Sequence, residues 1–423
     1  MEHKSSEGPL SHQLTRVCGV KIYLATIGSR GDNEPFRALA REAAAAGHDV
    51  FFAHTSDLPS EPREPYAELS IPGSFEAQIA EHGVSITRAL LNYRSTMKPM
   101  LEAANQAVIT QIQEVSPDVV VYHPKLVTAP VAAHAVGAIA VIVELFPTVT
   151  PTREFPALGF PHGLPGRLNR ASFRMIQWAL SGAAKPARKA AKELGVLRHE
   201  PDLTLCPVSQ ALVPQPADWP SHALVTGAWT SPTVGTIGTE LQEFLASGPV
   251  VYAGFGSMKD SRAAGRATVI VEAARLLGFK TLLVTGWGGL EPSSAHVDAP
   301  DVMVRSTVPH SEVLPQVAVA IHHGGAGTTH AMIASGIPSV IMPFLADQPW
   351  WAARLKHLGL GPGAVPRSLT NPNTLKRELV RAIERGDAVR TAAEFMALED
   401  GLGRALGIIE EAEAGVQDLR PAT

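Results

Sequence analysis

Two hydrophobic patterns alternate along the chain. Short runs of β-branched and aliphatic residues are followed by longer stretches in which apolar residues recur at helical spacing. The first unit is the clearest. Val20–Ile27 reads as a buried strand and Gly28–Asp32 as a glycine-bounded loop. Phe36, Leu39, Ala40 and Ala43 then form the inner face of a helix that Gly47 stops. Asp49–Ala53 is the next strand, so the unit is βαβ, with parallel pairing and a right-handed crossover. Further on, Pro99–Val115 is helical, Asp118–Tyr122 a strand, Val127–Val136 a short helix and Ala138–Val143 a strand. Residues 145–165 are proline-rich and irregular, as a loop over a cleft would be, and 166–195 return to helix. Thr204–Cys206 and Ala223–Val225 read as the last strands of this half.

Residues 227–248 are rich in Gly, Thr and Ser and read as a linker with one short helix. The alternation then restarts, with strands expected at Val250–Ala253, Lys280–Thr285, Val302–Arg305, Val317–Ile321 and Ser339–Met342. The organisation is therefore a polar leader (1–19) expected to be disordered, a first α/β half (20–226), the linker (227–248) and a second α/β half (249–423). The last helix of the second half is a candidate to cross back onto the first. Two doubly wound halves make a cleft, and ligands of such sheets sit beyond the carboxyl ends of the strands.

Composition narrows the classes. The 423 residues carry 18% charged and 45% apolar positions with a net charge of −4, which suits a globular chain and argues against nucleic acid as a partner. The two cysteines, Cys18 and Cys206, exclude a disulfide framework. The leader has no apolar core for a signal peptide, and the longest apolar run, Ala135–Val143, is too short to span a bilayer. A cytoplasmic location without an integral membrane segment is expected, with peripheral membrane contact left open.

Ala318–Thr329 (AVAIHHGGAGTT) carries the strongest chemistry. A strand runs into a loop of small residues that opens a helix, an arrangement suited to phosphate: amides and helix dipole favour an anion, and glycines let the backbone approach. Thr328 and Thr329 add hydroxyls, and His323 could donate to a phosphate oxygen. The other reading is a tight turn with a histidine satisfied in the core. No Lys follows the glycines, and the G-x-G-x-x-G dinucleotide fingerprint is absent.

The longer segment His322–Trp351 (HHGGAGTTHAMIASGIPSVIMPFLADQPWW) closely resembles the donor signature of the GT-B fold UDP-glycosyltransferase superfamily. The resemblance is strongest to sterol and lipid glucosyltransferases and actinobacterial natural-product glycosyltransferases. Gly28–Pro35 (GSRGDNEP), Pro151–Pro156 (PTREFP), Gly254–Met258 (GFGSM) and Thr285–Leu290 (TGWGGL) agree in order. The resemblance implies an α/β GT-B fold, two facing Rossmann-like domains with a central cleft. The N-terminal one would bind the acceptor and the C-terminal one the nucleotide sugar.

Position by position, the resemblance places Trp287 on the base and the Val308 amide at the base edge. His323, Gly325, Gly327 and Thr328 would surround the diphosphate, with Ser257 opposite. Asp347 and Gln348 would hold the sugar hydroxyls. Trp287 could instead be a packed turn aromatic and Asp347 a helix N-cap, while Trp350 and Trp351 read as packing.

Transfer to a hydroxyl needs a base, a stabilised leaving group and a held sugar. Asp32 follows the first strand and is the base that the resemblance implies. The competing reading has Asp32 capping a helix that begins near Pro35, or pairing with Arg30. The sequence contains no Asp-x-Asp pair for a metal–nucleotide complex and no Cys/His cluster, so no metal and no cofactor are expected. Relatives invert the anomeric centre. The co-substrate is expected to be UDP-glucose. The acceptor would be a small hydrophobic molecule (sterol, triterpenoid, polyketide or flavonoid) in a cleft drawn from Phe75, Leu90, Leu91, Met97, Met100, Phe146, Phe155 and Phe160. The alternatives are a dTDP-deoxysugar transferase and a non-catalytic nucleotide-sugar-binding accessory protein.

Overall fold

The computed structural model describes residues 19–58, 63–74, 97–180, 185–230, 235–256, 258, 261–286 and 288–417. Ser257, Trp287, Phe75, Leu90, Leu91, residues 231–234 of the linker and all of the leader but Gly19 lie outside the described residues.

The first half runs β1 (Lys21–Ala25), α1 (Arg30–Ala45), β2 (Asp49–His54), β3 (Ala67–Ser70), α2 (Lys98–Val115) and β4 (Val119–Tyr122). It continues through α3 (Ala129–Ala135), β5 (Ile139–Val143), α4 (Gly166–Leu180), α5 (Lys185–Leu194), β6 (Leu203–Cys206) and β7 (Ala223–Val225). The second half runs α6 (Thr239–Ala246), β8 (Val250–Gly254), α7 (Ala263–Arg275), β9 (Lys280–Val284), α8 (Ser294–Val297), β10 (Val302–Arg305) and α9 (His310–Val313). It ends with β11 (Val319–His322), α10 (Ala326–Ala334), β12 (Ser339–Ile341), α11 (Gln348–His357), α12 (Pro372–Ile383), α13 (Gly386–Met396) and α14 (Gly401–Gln417).

Two parallel sheets result. The first has seven strands in the order β3-β2-β1-β4-β5-β6-β7, the second five in the order β10-β9-β8-β11-β12. Strands β4, β5 and β8 are buried at every residue, as a sheet covered by helices on both faces requires. In each sheet the order reverses once, between β1 and β4 and between β8 and β11. Such a switch point leaves a crevice at the carboxyl ends of the strands.

On one face of the first sheet, Phe36 and Leu39 of α1 pack with Trp229 and with Leu406 and Ile409 of α14. The last helix therefore lies on the first half, and His48 Nε2 meets Glu410 Oε1 at 2.9 Å. A second bridge is α11. Trp350 and Trp351 share a core with Phe155, Phe173 and Trp219 of the first half. The Trp350 indole N–H donates to Pro156 O at 3.0 Å, and Arg354 Nε to Leu212 O at 2.7 Å. The loop after β5 is pinned by Glu144, fully buried, which accepts from the amides of Thr148, Val149 and Thr150 and from the Thr150 hydroxyl. Of the described acceptor-cleft candidates, Phe155 is core, stacked edge-on against Trp350 at 5.7 Å. Phe146 and Phe160 lean on the same cluster.

The first helix starts earlier than its apolar spacing suggests. It begins at Arg30, not near Pro35. The cause is a capping box: the Ser29 amide donates to Asp32 Oδ2 at 2.7 Å, and the Ser29 hydroxyl lies 2.9 Å from the same oxygen. Gly31 and Asp32 are thus drawn into the first turn, with Pro35 inside the helix. Arg30 pairs with Glu34 at 3.0 Å, not with Asp32. The helical stretch at 166–195 also divides into two helices, α4 and α5.

Candidate active site

At the first switch point the chain leaves β1 through Gly28. This residue has φ +148°, and a Cβ there would lie 2.2 Å from Asp32 Oδ2, so only glycine fits beneath the carboxylate. Asp32 is the third residue of α1. Its Oδ2 is taken by Ser29, and its Oδ1 faces two groups from the end of β4: His123 Nε2 at 3.3 Å and Lys125 Nζ at 3.5 Å. The Lys125 amide donates to His123 Nδ1 at 3.1 Å. Nδ1 is then an acceptor, so the imidazole proton sits on Nε2 and points at Asp32.

Burial alone would raise the Asp32 carboxyl. The Lys125 charge, the His123 contact and Ser29 outweigh it and hold the group well below the usual carboxylate range. His123 is held neutral by burial and by the Lys125 cation. Asp32 is the group with an oxygen facing the crevice as a standing anion, and His123 is a donor to it. The sequence reading had Asp32 but not His123 or Lys125. The available signal was the pair's position directly after the Asp118–Tyr122 strand, and it becomes meaningful only once β4 is known to lie beside β1.

At the second switch point, the loops after β8 and β9 touch: a Cβ on Gly286, at φ +53°, would fall 2.3 Å from Gly256 O. The loop after β11 follows. His322 is structural, with Nδ1 accepting from the Gly324 amide at 3.1 Å and Nε2 3.1 Å from the Ser339 hydroxyl. His323 turns the other way, its ring at 88° to that of His322. Its Nδ1 is buried with no hydrogen-bond partner among the described residues. Burial pushes the imidazole down to about 4, so it is neutral and carries one N–H to donate. Gly325 is the N-cap of α10, and Gly327 and Thr328 lie in its first turn, where amides have no intrahelical acceptor. Thr328 is half-buried, whereas Thr329 is fully buried, so its hydroxyl does not face the loop surface. Val308 is half-buried between β10 and α9.

Asp347 stands at the N-cap position of α11, after Ala346 at φ +56°, but its side chain makes no bond to that helix's first amides. Its Oδ2 accepts instead from the Ala326 amide at the start of α10 (3.2 Å) and from the Trp351 indole (3.0 Å). Burial, reinforced by the Asp32 charge, pushes its carboxyl up to about 6. Gln348 is buried, and its Oε1 accepts from the amides of Phe344 (2.7 Å) and Leu345 (3.1 Å). The same glutamine directs Nε2 at Met258 Sδ, 3.6 Å away. It holds the 344–348 turn that presents Asp347.

The two switch points sense one another. Asp32 acts on Asp347, and Arg30 of α1 helps burial depress His310 of α9. The geometry thus pairs a fixed carboxylate on one side of a crevice with a loop of free helix-start amides on the other. That division fits transfer of a group from an anionic leaving group to a nucleophile that must lose a proton.

Comparison with known proteins gives the class. Residues 291–402 match the erythromycin biosynthesis protein CIII-like C-terminal domain. The vancomycin aglycone glucosyltransferase of Amycolatopsis orientalis is 30% identical, over 81% of this chain and 85% of the relative. An O-mycaminosyltylonolide 6-deoxyallosyltransferase of Streptomyces fradiae is 29% identical over 93% of this chain and 97% of its own length. A sterol 3-beta-glucosyltransferase of Arabidopsis thaliana is 27% identical over 95% of this chain and 69% of its own. Among solved structures, the glycosyltransferase of kitacinnamycin superposes with a TM-score of 0.69 at 19% identity, covering 93% of this chain and 99% of that one. The chain belongs to the GT-B glycosyltransferases, with sterol glucosyltransferases and actinobacterial natural-product glycosyltransferases as its homologues. It is a hexosyltransferase. Among the described residues no helix is long and apolar enough to cross a membrane.

Proposed function

We propose that this chain is an inverting, metal-independent, cytoplasmic glucosyltransferase that moves glucose from UDP-glucose to a hydroxyl of a small hydrophobic acceptor, with Asp32 as base. The observation that carries the reading is the ionised Asp32 at one switch point across the crevice from His323 at the other, whose Nδ1 has no partner among the described residues. In a single displacement the acceptor oxygen bonds to the anomeric carbon as the bond to the diphosphate breaks. The hydroxyl proton passes to Asp32 Oδ1, and UDP leaves with both electrons of the broken bond. As the new bond forms, the hydroxyl becomes strongly acidic, so a carboxylate of low basicity suffices provided it is ionised and in place. The leaving diphosphate would be met by the His323 N–H and the first amides of α10. Asp347 lies beside those amides, where a sugar hydroxyl would reach it. The resemblance puts Ser257, Gly325, Gly327 and Thr328 around the diphosphate and Trp287 and Val308 around the base.

Glucose is supported by two relatives that are glucosyltransferases, one of a sterol and one of the vancomycin aglycone, and a hydrophobic acceptor by the first. The deoxyallosyltransferase relative favours a second reading, a deoxysugar carried on dTDP. An acceptor panel scored by product mass with UDP-glucose and with one dTDP-deoxysugar decides between them. In the same assay Asp32→Ala should lower turnover at least a hundredfold with UDP binding intact, a typical weight for a general base. EDTA should have no effect. Near-full activity of Asp32→Ala, or a loss in EDTA that magnesium restores, would overturn the mechanism.

A further inference from the structure

Helix α4 presents an unusual outer face. Leu168, Met175 and Trp178 are 47%, 59% and 80% exposed and, with Ala171, follow the i, i+3, i+7, i+10 spacing of one stripe. Arg167, Arg170 and Arg174 form the next stripe, and the helix has no acidic residue. Asn169, Ser172 and Phe173 are buried and fix the opposite side to the protein. Asn169 Nδ2 donates to Arg153 O at 2.9 Å and Gln177 Nε2 to Val149 O at 3.0 Å, so the loop after β5 holds the helix in this orientation. The arginine stripe sits in a chain whose net charge is −4.

We propose that the outer face of α4 docks this enzyme on an anionic lipid bilayer. Three large apolar side chains on one stripe are far too few for a protein interface, which buries about 800 Å² per partner. The same stripe suits shallow insertion between headgroups, with indole at the interface and arginine beside anionic phosphate. Arg167, Arg170 and Arg174, on a helix with no acidic residue, supply the charge complementarity. The inference does not depend on which sugar or acceptor the enzyme uses.

The test is co-sedimentation of the full chain with vesicles of phosphatidylcholine mixed with phosphatidylglycerol, and with phosphatidylcholine alone. Binding should be at least about tenfold stronger on the mixed vesicles at low salt and should fall in high salt, because the attraction is screened. Trp178→Ala and the triple variant R167Q/R170Q/R174Q should each weaken partitioning about tenfold, with thermal melting unchanged. Phe395→Ala, an exposed aromatic on α13, should bind as the parent does. The proposal is overturned if mixed vesicles do not bind, or if Trp178→Ala leaves binding intact. It is equally overturned if sedimentation velocity finds the patch closing a dimer that Trp178→Ala dissolves while vesicles stay unbound.

Discussion

The double variant Lys125→Met/His123→Leu isolates what keeps Asp32 ionised. Methionine keeps an apolar stem over the site and removes the cation 3.5 Å from Asp32 Oδ1; leucine removes the Nε2 donor at 3.3 Å. Lys125 is more than a third exposed, so solvent screens it. With an effective dielectric between about 80 and about 40, a charge at that distance contributes about 1.2–2.4 kcal/mol. A hydrogen bond to a charged group contributes about 1.5–3 kcal/mol. Together these are about 3–5 kcal/mol, or about 2–4 pH units of the Asp32 titration. Ser29 and burial remain in the variant, and burial then dominates. In the parent the folded-state carboxyl lies below its unfolded value. It therefore contributes stability above the unfolded value, about pH 3.9, that is lost as pH falls through the folded one. The double variant loses that contribution and should also melt lower at neutral pH. The assay is the pH profile of kcat/KM from pH 4.5 to 9. The parent should show no acid limb from Asp32 in this range, and the variant should lose activity at its acid end. An unchanged profile, or a limb that persists when Asp32→Asn is added, would refute the reasoning.

Three further outcomes follow from single side chains. His323→Ala should raise the donor KM about tenfold or more and weaken UDP binding by calorimetry, leaving the acceptor KM alone; unchanged UDP affinity would take His323 off the diphosphate. Asp347→Asn should raise the melting temperature at pH 8 and not at pH 4.5. A carboxyl raised to about 6 in the folded chain binds an extra proton there, so stability falls as pH climbs from about 4 to 6 and stays lower above. An equal gain at both pH values would contradict this. Glu144→Ala removes four hydrogen bonds to one buried carboxylate and should cost about 3 kcal/mol, read by denaturant unfolding.

Sequence periodicity carried the strands that are buried on both faces, because a continuous β-branched run has few other places to go. It missed β3, whose AELS residues lie on an edge and are mostly exposed. It misplaced the start of α1 because apolar spacing speaks only for the buried turns. The signal for the first turn was polar, Ser29 and Asp32 three apart. Within the candidate site, the residues whose proposed roles rest on their own loop were legible: Asp32 beside its glycine, and His323 before the helix that its loop opens. Residues that act through strand order were not. His123 reaches Asp32 across 91 positions of sequence because β4 happens to lie beside β1. The burial of Gln348 was equally hidden, since its partners are the backbone amides of a turn whose shape no side chain announces.

The electrostatics of the crevice give the two aspartates different work. Asp32 and Asp347 repel one another, and two facing carboxylates would ordinarily share the cost. Here the cost falls on one. Lys125, His123 and Ser29 hold Asp32 down, whereas Asp347 has, among the described residues, an indole and amide donors and is pushed up to about 6. Titratable groups driven apart in this way mark a division of roles. The group held ionised can accept a proton at any pH where the chain is folded. The other, bonded to the Ala326 amide, occupies with its own oxygen the edge of the loop that suits a diphosphate. A donor entering that loop brings more negative charge to Asp347 and raises its carboxyl further. Donor affinity should therefore increase as pH falls from neutral toward about 6 and level off below it, and Asp347→Asn should abolish that dependence.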